Sequence, residues 1–163
     1  MYEFVEYRVS DAMTYRPVTI RPNTTLAEVE ALFEKHDYDC LPVCDERDRL
    51  LGVVTKLDFL RAFAFSCETM VPRYQDIMKR PAETVMTVAA ITVSPDMPLT
   101  RILQLMIETR HKSFPVMVGK LPIGMISRRD IVHALRRAAA GEEAPSAHPR
   151  ENETWTIAPS CAM

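Results

Sequence analysis

The chain has 163 residues, 47% of them apolar and 26% charged, with a formal net charge of −2. That length suits one domain or two small subdomains with a filled core. The near-neutral charge supplies no global attraction to nucleic acid or anionic lipid, and no apolar run approaches the length needed to cross a bilayer.

The chain opens with Tyr2, Phe4, Val5, Val9 and Met13 set among charges, the pattern of a short amphipathic helix. Pro17-Val18-Thr19-Ile20-Arg21-Pro22 then reads as a short β-like run closed by proline. Thr25-Leu26-Ala27-Glu28 is a capping box, and Leu26, Val29, Leu32 and Phe33 fall on one helical face behind it. Cys40-Leu41-Pro42-Val43-Cys44 predicts a strand whose internal proline places it at an edge or bulge. A charged turn from Asp45 to Arg49 leads back into Gly52-Val53-Val54-Thr55-Lys56-Leu57-Asp58, and a helix over 57–64 should bury Leu57, Leu60 and Phe63.

After a connector containing Pro72 and Pro81, in which Tyr74 to Lys79 predicts a turn or two of docked helix, the same order returns. Met86-Thr87 matches Met13-Thr14, and Ala90-Ile91-Thr92-Val93-Ser94-Pro95 matches the first β-like run, both at an offset of 73. Asp96 is the expected N-cap of the next helix, with Leu99, Ile102, Leu103, Met106 and Ile107 on its buried face. Met97 and Met106 read as core filler. Ser113-Phe114-Pro115-Val116-Met117 parallels the proline-bearing strand, and Gly119-Lys120 makes a shorter turn. Gly124-Met125-Ile126-Ser127-Arg128-Arg129-Asp130 then repeats the glycine-led stretch at an offset of 72. A closing helix over 129–139 should bury Ile131, Val132 and Leu135. Each copy is therefore strand, helix, strand, strand, helix. The segment from Gly141 is rich in Pro, Ala, Glu and Ser, a mobile composition, with Trp155-Thr156-Ile157 as an apolar exception.

The glycine-led stretch carries chemistry. Glycine opens a strand with a close backbone approach, a hydroxyl ends it, and an aspartate follows in the first helical turn. Backbone N–H groups at a helix start attract anions, a hydroxyl or basic residue there can hold phosphate, and a carboxylate can accept hydrogen bonds from two sugar hydroxyls. The combination suits a ribonucleotide. The same Thr-x-x-Asp and Ser-x-x-Asp spacing also fits helix capping without any ligand, and a cap can hold a ligand as well, so both readings stay open.

Other chemistry is thinly represented. Cys40, Cys44, Cys67 and Cys161 form no Cys-x-x-Cys pair. With no signal-peptide pattern at the start they read as reduced thiols of a cytoplasmic protein, and two thiols near Cys40 and Cys44 do not complete a structural zinc site. His36, His111, His133 and His148 align with no nucleophile, and there is no phosphate-binding P-loop, so no catalytic role is expected.

Leu41-Pro42-Val43 with the first glycine-led stretch resembles a CBS domain, and Phe114-Pro115-Val116 with the second resembles another. Together they resemble a tandem CBS pair, or Bateman module, of the stand-alone type, covering roughly 8–140. The resemblance implies an α/β (α+β mixed) fold of two pseudo-symmetric β-α-β-β-α repeats packed as one module. The first repeat would span 8–65, the connector 66–80, the second repeat 81–140, and the tail 141–163. It further implies a homodimer that needs no cofactor and no metal. Such a dimer would bind an adenine nucleotide (AMP, ADP or ATP) or S-adenosylmethionine in the cleft between repeats, and signal to a regulated protein. Thr55 and Asp58 would make one site and Ser127 and Asp130 the other, with Thr14, Val18, Thr19, Thr87, Ile91 and Thr92 flanking the base. Lys56, Lys112 and Arg128 would serve phosphate. Many phosphate-binding members carry a basic residue just before the apolar-Pro pair. Here the first copy has Asp39-Cys40 and the second Lys112-Ser113, and Arg128 with Arg129 makes the second set more basic than Lys56-Leu57, so unequal sites are expected, the Ser127–Asp130 site being the stronger. The competing reading is a ligand-free dimerisation or scaffold module.

Overall fold

A computed structural model describes residues 2–64, 73–142 and 144. In chain order the elements are α1 (Tyr2–Glu6), α2 (Val9–Ala12), β1 (Thr14–Tyr15), α3 (Leu26–His36), β2 (Cys40–Cys44), β3 (Leu50–Thr55) and α4 (Lys56–Arg61), then α5 (Tyr74–Met78), a 3-10 turn (Ala82–Thr84), α6 (Leu99–Thr109), β4 (Ser113–Val118), β5 (Leu121–Ser127) and α7 (Arg128–Ala139). The fold is α+β with antiparallel strands. The chain folds as two compact units that do not follow the sequence repeats: one is Pro17–Ile91, the other joins Met1–Arg16 to Thr92–Met163.

The continuous unit is built on the antiparallel β2–β3 hairpin, in register Leu41 to Val54 and Pro42 to Val53. Thr25 caps α3 as the capping box requires, its backbone N–H donating to Glu28 Oε2 at 2.8 Å, and α3 ends at Asp37 in the left-handed region with φ 51°. The apolar face of α3 buries Leu26, Val29 and Phe33 against Leu41, Val43 and Val54 of the hairpin, with Ile77, Met78 and Ala82 of the connector completing this core. The connector thus docks, as its apolar residues predict. The charged turn is held by Asp45, whose carboxylate accepts from the Arg47 and Arg49 backbone N–H groups and from Arg49 Nε, while Arg21 donates to the Asp45 carbonyl and to Asp48.

The discontinuous unit has a three-stranded sheet in the order β1-β5-β4, with Thr14 opposite Met125 and Ser113 opposite Ser127. Its core gathers Tyr7, Val9, Leu99, Ile102, Phe114, Val116, Ile126 and Ile131. The first residues of the chain are therefore part of it. Tyr7 is fully buried, its hydroxyl donates to the Glu142 carbonyl at 3.1 Å, and the Arg137 guanidinium lies 5.8 Å from its ring centroid.

Four local expectations are corrected. The runs at 17–22 and 90–95 are not strands: Ile20 and Val93 make single parallel bridges to Val43 and Val116, and the regular pairing falls earlier, at Thr14–Tyr15. Prolines at both ends of the first run remove ladder donors. The N-cap of α6 is Pro98 and not Asp96, whose carboxyl is held low by a hydrogen bond from Ser94 and by its own backbone. Leu57 and Leu60 are 58% and 61% exposed, because α4 is short and turns Asp58, Phe59 and Phe63 toward the protein. Val132 and Ile107 are likewise exposed, at the margins of helical faces whose centres are Ile131 with Ala134 and Ile102 with Met106. Trp155-Thr156-Ile157 lies outside the described residues, as do Cys67, Cys161 and His148.

Candidate functional site: two hydroxyl–aspartate helix starts

The two glycines occupy equivalent positions for one steric reason. A Cβ on Gly52 would lie 2.5 Å from the Thr87 carbonyl oxygen, and one on Gly124 would lie 2.8 Å from the Thr14 carbonyl oxygen. Each glycine lets a leading segment from the other repeat press against its strand. Thr87 exchanges backbone hydrogen bonds with Val53 at 3.0 and 2.9 Å, and Thr14 and Tyr15 pair with Met125 and Gly124.

Beyond each glycine the strand runs straight into a helix. Thr55 is the N-cap of α4: its hydroxyl accepts from the Asp58 backbone N–H at 3.1 Å, and Asp58 Oδ2 accepts from the Thr55 backbone N–H at 2.9 Å and from the Thr55 hydroxyl at 2.6 Å. Ser127 caps α7 with the same bonds, Asp130 Oδ2 accepting from its backbone N–H at 2.7 Å and from its hydroxyl at 2.6 Å. The capping reading of the motif is correct in both copies. It consumes only one oxygen of each carboxylate, and a carboxylate has acceptor sites to spare.

The second oxygens differ. Asp58 Oδ1 accepts from Arg61 Nη1 at 3.1 Å and from the Thr87 hydroxyl at 3.4 Å, and Asp58 is only 4% exposed. Asp130 is half-buried, and no hydrogen bond from the described residues reaches its Oδ1. The glycine-led motif does not extend to Arg61. Its signal was present, since an Arg three residues after an Asp on a helix is an ion-pair spacing, and the second copy has His133 there.

Arg128 and Lys56 are engaged at the ends of the preceding helices. Arg128 donates from Nη2 to the Arg110 carbonyl at 2.7 Å and from Nε to the His111 carbonyl at 3.3 Å, at the C-terminal end of α6. Lys56 Nζ lies 3.8 Å from Asp37 Oδ1 and 6.0 Å from the Phe33 ring centroid, at the C-terminal end of α3. Both cations therefore sit where the carbonyl ends of a helix favour positive charge. Lys112 is exposed and offers its backbone carbonyl to the Arg128 N–H at 2.9 Å.

The residues expected to flank a base divide between the units. Thr14 and Thr92 belong to the unit that holds Ser127 and Asp130, whereas Val18, Thr19, Thr87 and Ile91 belong to the one that holds Thr55 and Asp58. Thr14, Thr19, Thr87, Ile91 and Thr92 are exposed, and Val18 packs against the core of its unit. Among the described residues no group of three or more His, Cys, Asp or Glu could hold a metal ion, and no helix is long and apolar enough to cross a membrane. Cys40 and Cys44 are buried, and burial pushes the Cys44 thiol up to about 11.

Comparison with known proteins agrees with this architecture. An uncharacterized 17.7 kDa protein of Acidianus ambivalens is 28% identical over 158 residues, which cover 96% of this chain and 89% of that protein. Two further relatives, from Methanocaldococcus jannaschii, are longer, and the chain spans 22% and 31% of their lengths. The crystal structure of CBSX2 in complex with AMP matches with a TM-score of 0.69 at 25% identity, covering 82% of this chain and 98% of that one. The CBS domain pair of protein MJ0100, in complex with 5′-methylthioadenosine and S-adenosyl-L-methionine, matches with a TM-score of 0.67 at 26% identity, covering 78% and 98%. The family model described as CBS domain matches residues 9–65 and again 76–137, so this chain belongs to the CBS-domain family and carries the domain twice.

Proposed function

We propose that the chain is a regulatory module that binds an adenine nucleotide, or a related adenosyl compound such as S-adenosylmethionine, at its hydroxyl–aspartate helix starts. The observation that carries this is the composite make-up of each unit. A leading segment from one repeat lies beside the glycine-led strand of the other, so residues able to flank a base and residues able to hold a ribose share one unit. The AMP complex of CBSX2 and the adenosyl complexes of MJ0100 support the ligand class. In this reading Thr55 with Asp58 and Ser127 with Asp130 are the two candidate positions. Binding favours one of two arrangements of a homodimer, and a cytoplasmic partner protein reads that shift.

A thermal-shift panel of AMP, ATP and S-adenosylmethionine tests it. A ligand present at a hundred times its Kd adds about 2.7 kcal/mol, which for a chain of this size raises Tm by about 5–10 °C. If all three leave Tm unchanged at millimolar concentration, the ligand-free scaffold reading takes its place. One observation favours that second reading: at Asp58 the protein itself already satisfies the carboxylate.

A further inference from the structure

We propose that two molecules of this chain exchange residues 2–16, each lending its leading segment to the sheet and core of the other. The proposal goes beyond the nucleotide reading and needs no ligand. It names what holds the homodimer together.

The segment is docked in the manner of a bound peptide. Phe4, Tyr7, Val9 and Met13 are buried in one core with Leu99, Ile102 and Ile126. The Tyr7 carbonyl accepts from the Leu99 N–H at 2.9 Å, and the Val9 and Ser10 N–H groups donate to the Met97 and Pro95 carbonyls at 3.0 and 2.9 Å. Arg8 Nη1 donates to the Asp96 carbonyl at 2.8 Å. β1 then sets Thr14 and Tyr15 against Met125 and Gly124 of β5, and the Arg16 N–H donates to the Ile123 carbonyl at 3.1 Å. Every one of these partners follows the whole of Pro17–Ile91 in sequence, the stretch that forms the other unit. The surface that receives the segment is therefore supplied equally well by a second molecule, with the same bonds and the same buried side chains.

The link between the segment and the rest of the chain is where the two arrangements differ. Arg16 lies in the left-handed region with φ 54°, a costly conformation for a long side chain. Pro17 follows it, and a proline biases the residue before it toward extended backbone. Docking within one chain holds Arg16 in the turn. Exchange lets it extend, keeps every bond named above and releases the strain, which is why short strained links favour swapping. In the exchanged pair Thr14 of one molecule stands in the same unit as Ser127 and Asp130 of the other.

The test uses the full chain carrying Thr14→Cys with Met125→Cys, which places two thiols on directly opposed residues of β1 and β5. Such residues have Cα atoms about 4.5–5.5 Å apart, within disulfide reach. Equal amounts of unlabelled and nitrogen-15-labelled chain are unfolded together, refolded and oxidised, and the disulfide peptide joining 14 to 125 is weighed by mass spectrometry. Exchange predicts covalent dimers that require both cysteines, and linked peptides with one light and one heavy half. Arg16→Gly, which accepts the left-handed turn without strain, should weaken dimerisation of the otherwise wild-type chain at least about fivefold. Linked peptides of a single label, no link between 14 and 125, or an Arg16→Gly chain that dimerises as tightly as wild type overturns the proposal. A dimer by native mass spectrometry that carries only single-label links rejects exchange and leaves the homodimer standing, whereas a monomer rejects both.

Discussion

Gly52→Ala is the sharpest probe of how the repeats interlock. The added methyl would meet the Thr87 carbonyl oxygen at 2.5 Å, its carbonyl carbon at 3.2 Å and Val88 Cα at 3.2 Å. All three are backbone atoms, so no side-chain rotation relieves the overlap. Normal contact requires a retreat of about 1 Å, and the segment that must retreat exchanges the Val53–Thr87 bonds of 3.0 and 2.9 Å. Each such bond is worth about 0.5–1.5 kcal/mol, and overpacking that is absorbed as strain costs about 1–3 kcal/mol. Against either route stands about 0.4–1 kcal/mol from the lost freedom of glycine in the unfolded chain. The net expectation is a destabilisation of about 1.3 kcal/mol at mid-range and up to about 2.6 kcal/mol, or about 3–10 °C in Tm. Gly124→Ala should cost less, because its nearest contacts are the Met13 thioether and the Thr14 carbonyl oxygen, both at 2.8 Å, and the thioether can swing aside. Urea unfolding of both variants, with hydrogen exchange at the Val53 and Thr87 amides, measures this. If Gly52→Ala is as stable as wild type, or if Gly124→Ala is the worse of the two, the close-approach argument is wrong.

The hairpin turn should be acid-labile. Hydrogen bonds from the Arg49 side chain and backbone hold the Asp45 carboxyl below its ordinary 3.8. Its contribution is therefore present above that value and is lost as pH falls through the depressed one, and Asp45→Asn should remove this part of the acid transition in a pH-dependent unfolding series. Burial raises the Cys44 thiol to about 11, so native protein at pH 8 should leave Cys44 unmodified by a thiol-specific disulfide reagent, while denatured protein reacts; rapid native labelling would contradict the burial. A fragment spanning 17–91 retains the whole core around Leu26, Leu41, Val54, Ile77 and Ala82 and should give dispersed amide NMR signals, whereas one spanning 8–65 lacks Ile77, Met78 and Ala82 and should not. Equal dispersion would show that the connector is dispensable.

Periodicity and spacing made most elements legible. The capping boxes at Thr25, Thr55 and Ser127, the proline-bearing strands and the docked connector are local patterns, and local patterns leave local sequence marks. The failures share a cause. Leu57 and Leu60 fit a buried helical stripe by spacing, yet the actual orientation of α4 is set by Asp58 turning inward to its partners, a tertiary effect. The leading strand was expected at the apolar run that follows Pro17, but pairing belongs to Thr14–Tyr15, where β5 supplies the partner. A strand of two residues has no period to read.

Duplication explains why such errors gather at the joins between repeats. A repeat aligned with itself reports which residues are equivalent, and says nothing of which copy each one touches. Here β1, from the first copy, completes the sheet of the second, and Thr87, from the second, is bonded to β3 of the first. Each glycine marks the place where the foreign segment lies, so its requirement is visible in sequence while the identity of its neighbour is not. The same exchange makes equivalence a poor guide to chemistry. Asp58 and Asp130 keep identical capping bonds because those are made within four residues of chain. They differ in the oxygen that looks outward, where Arg61 has replaced what is His133 in the other copy and where Thr87 arrives from a distant part of the chain. Capping geometry is therefore held in common by the two copies, and what distinguishes them is the oxygen that Arg61 and Thr87 bond in the first.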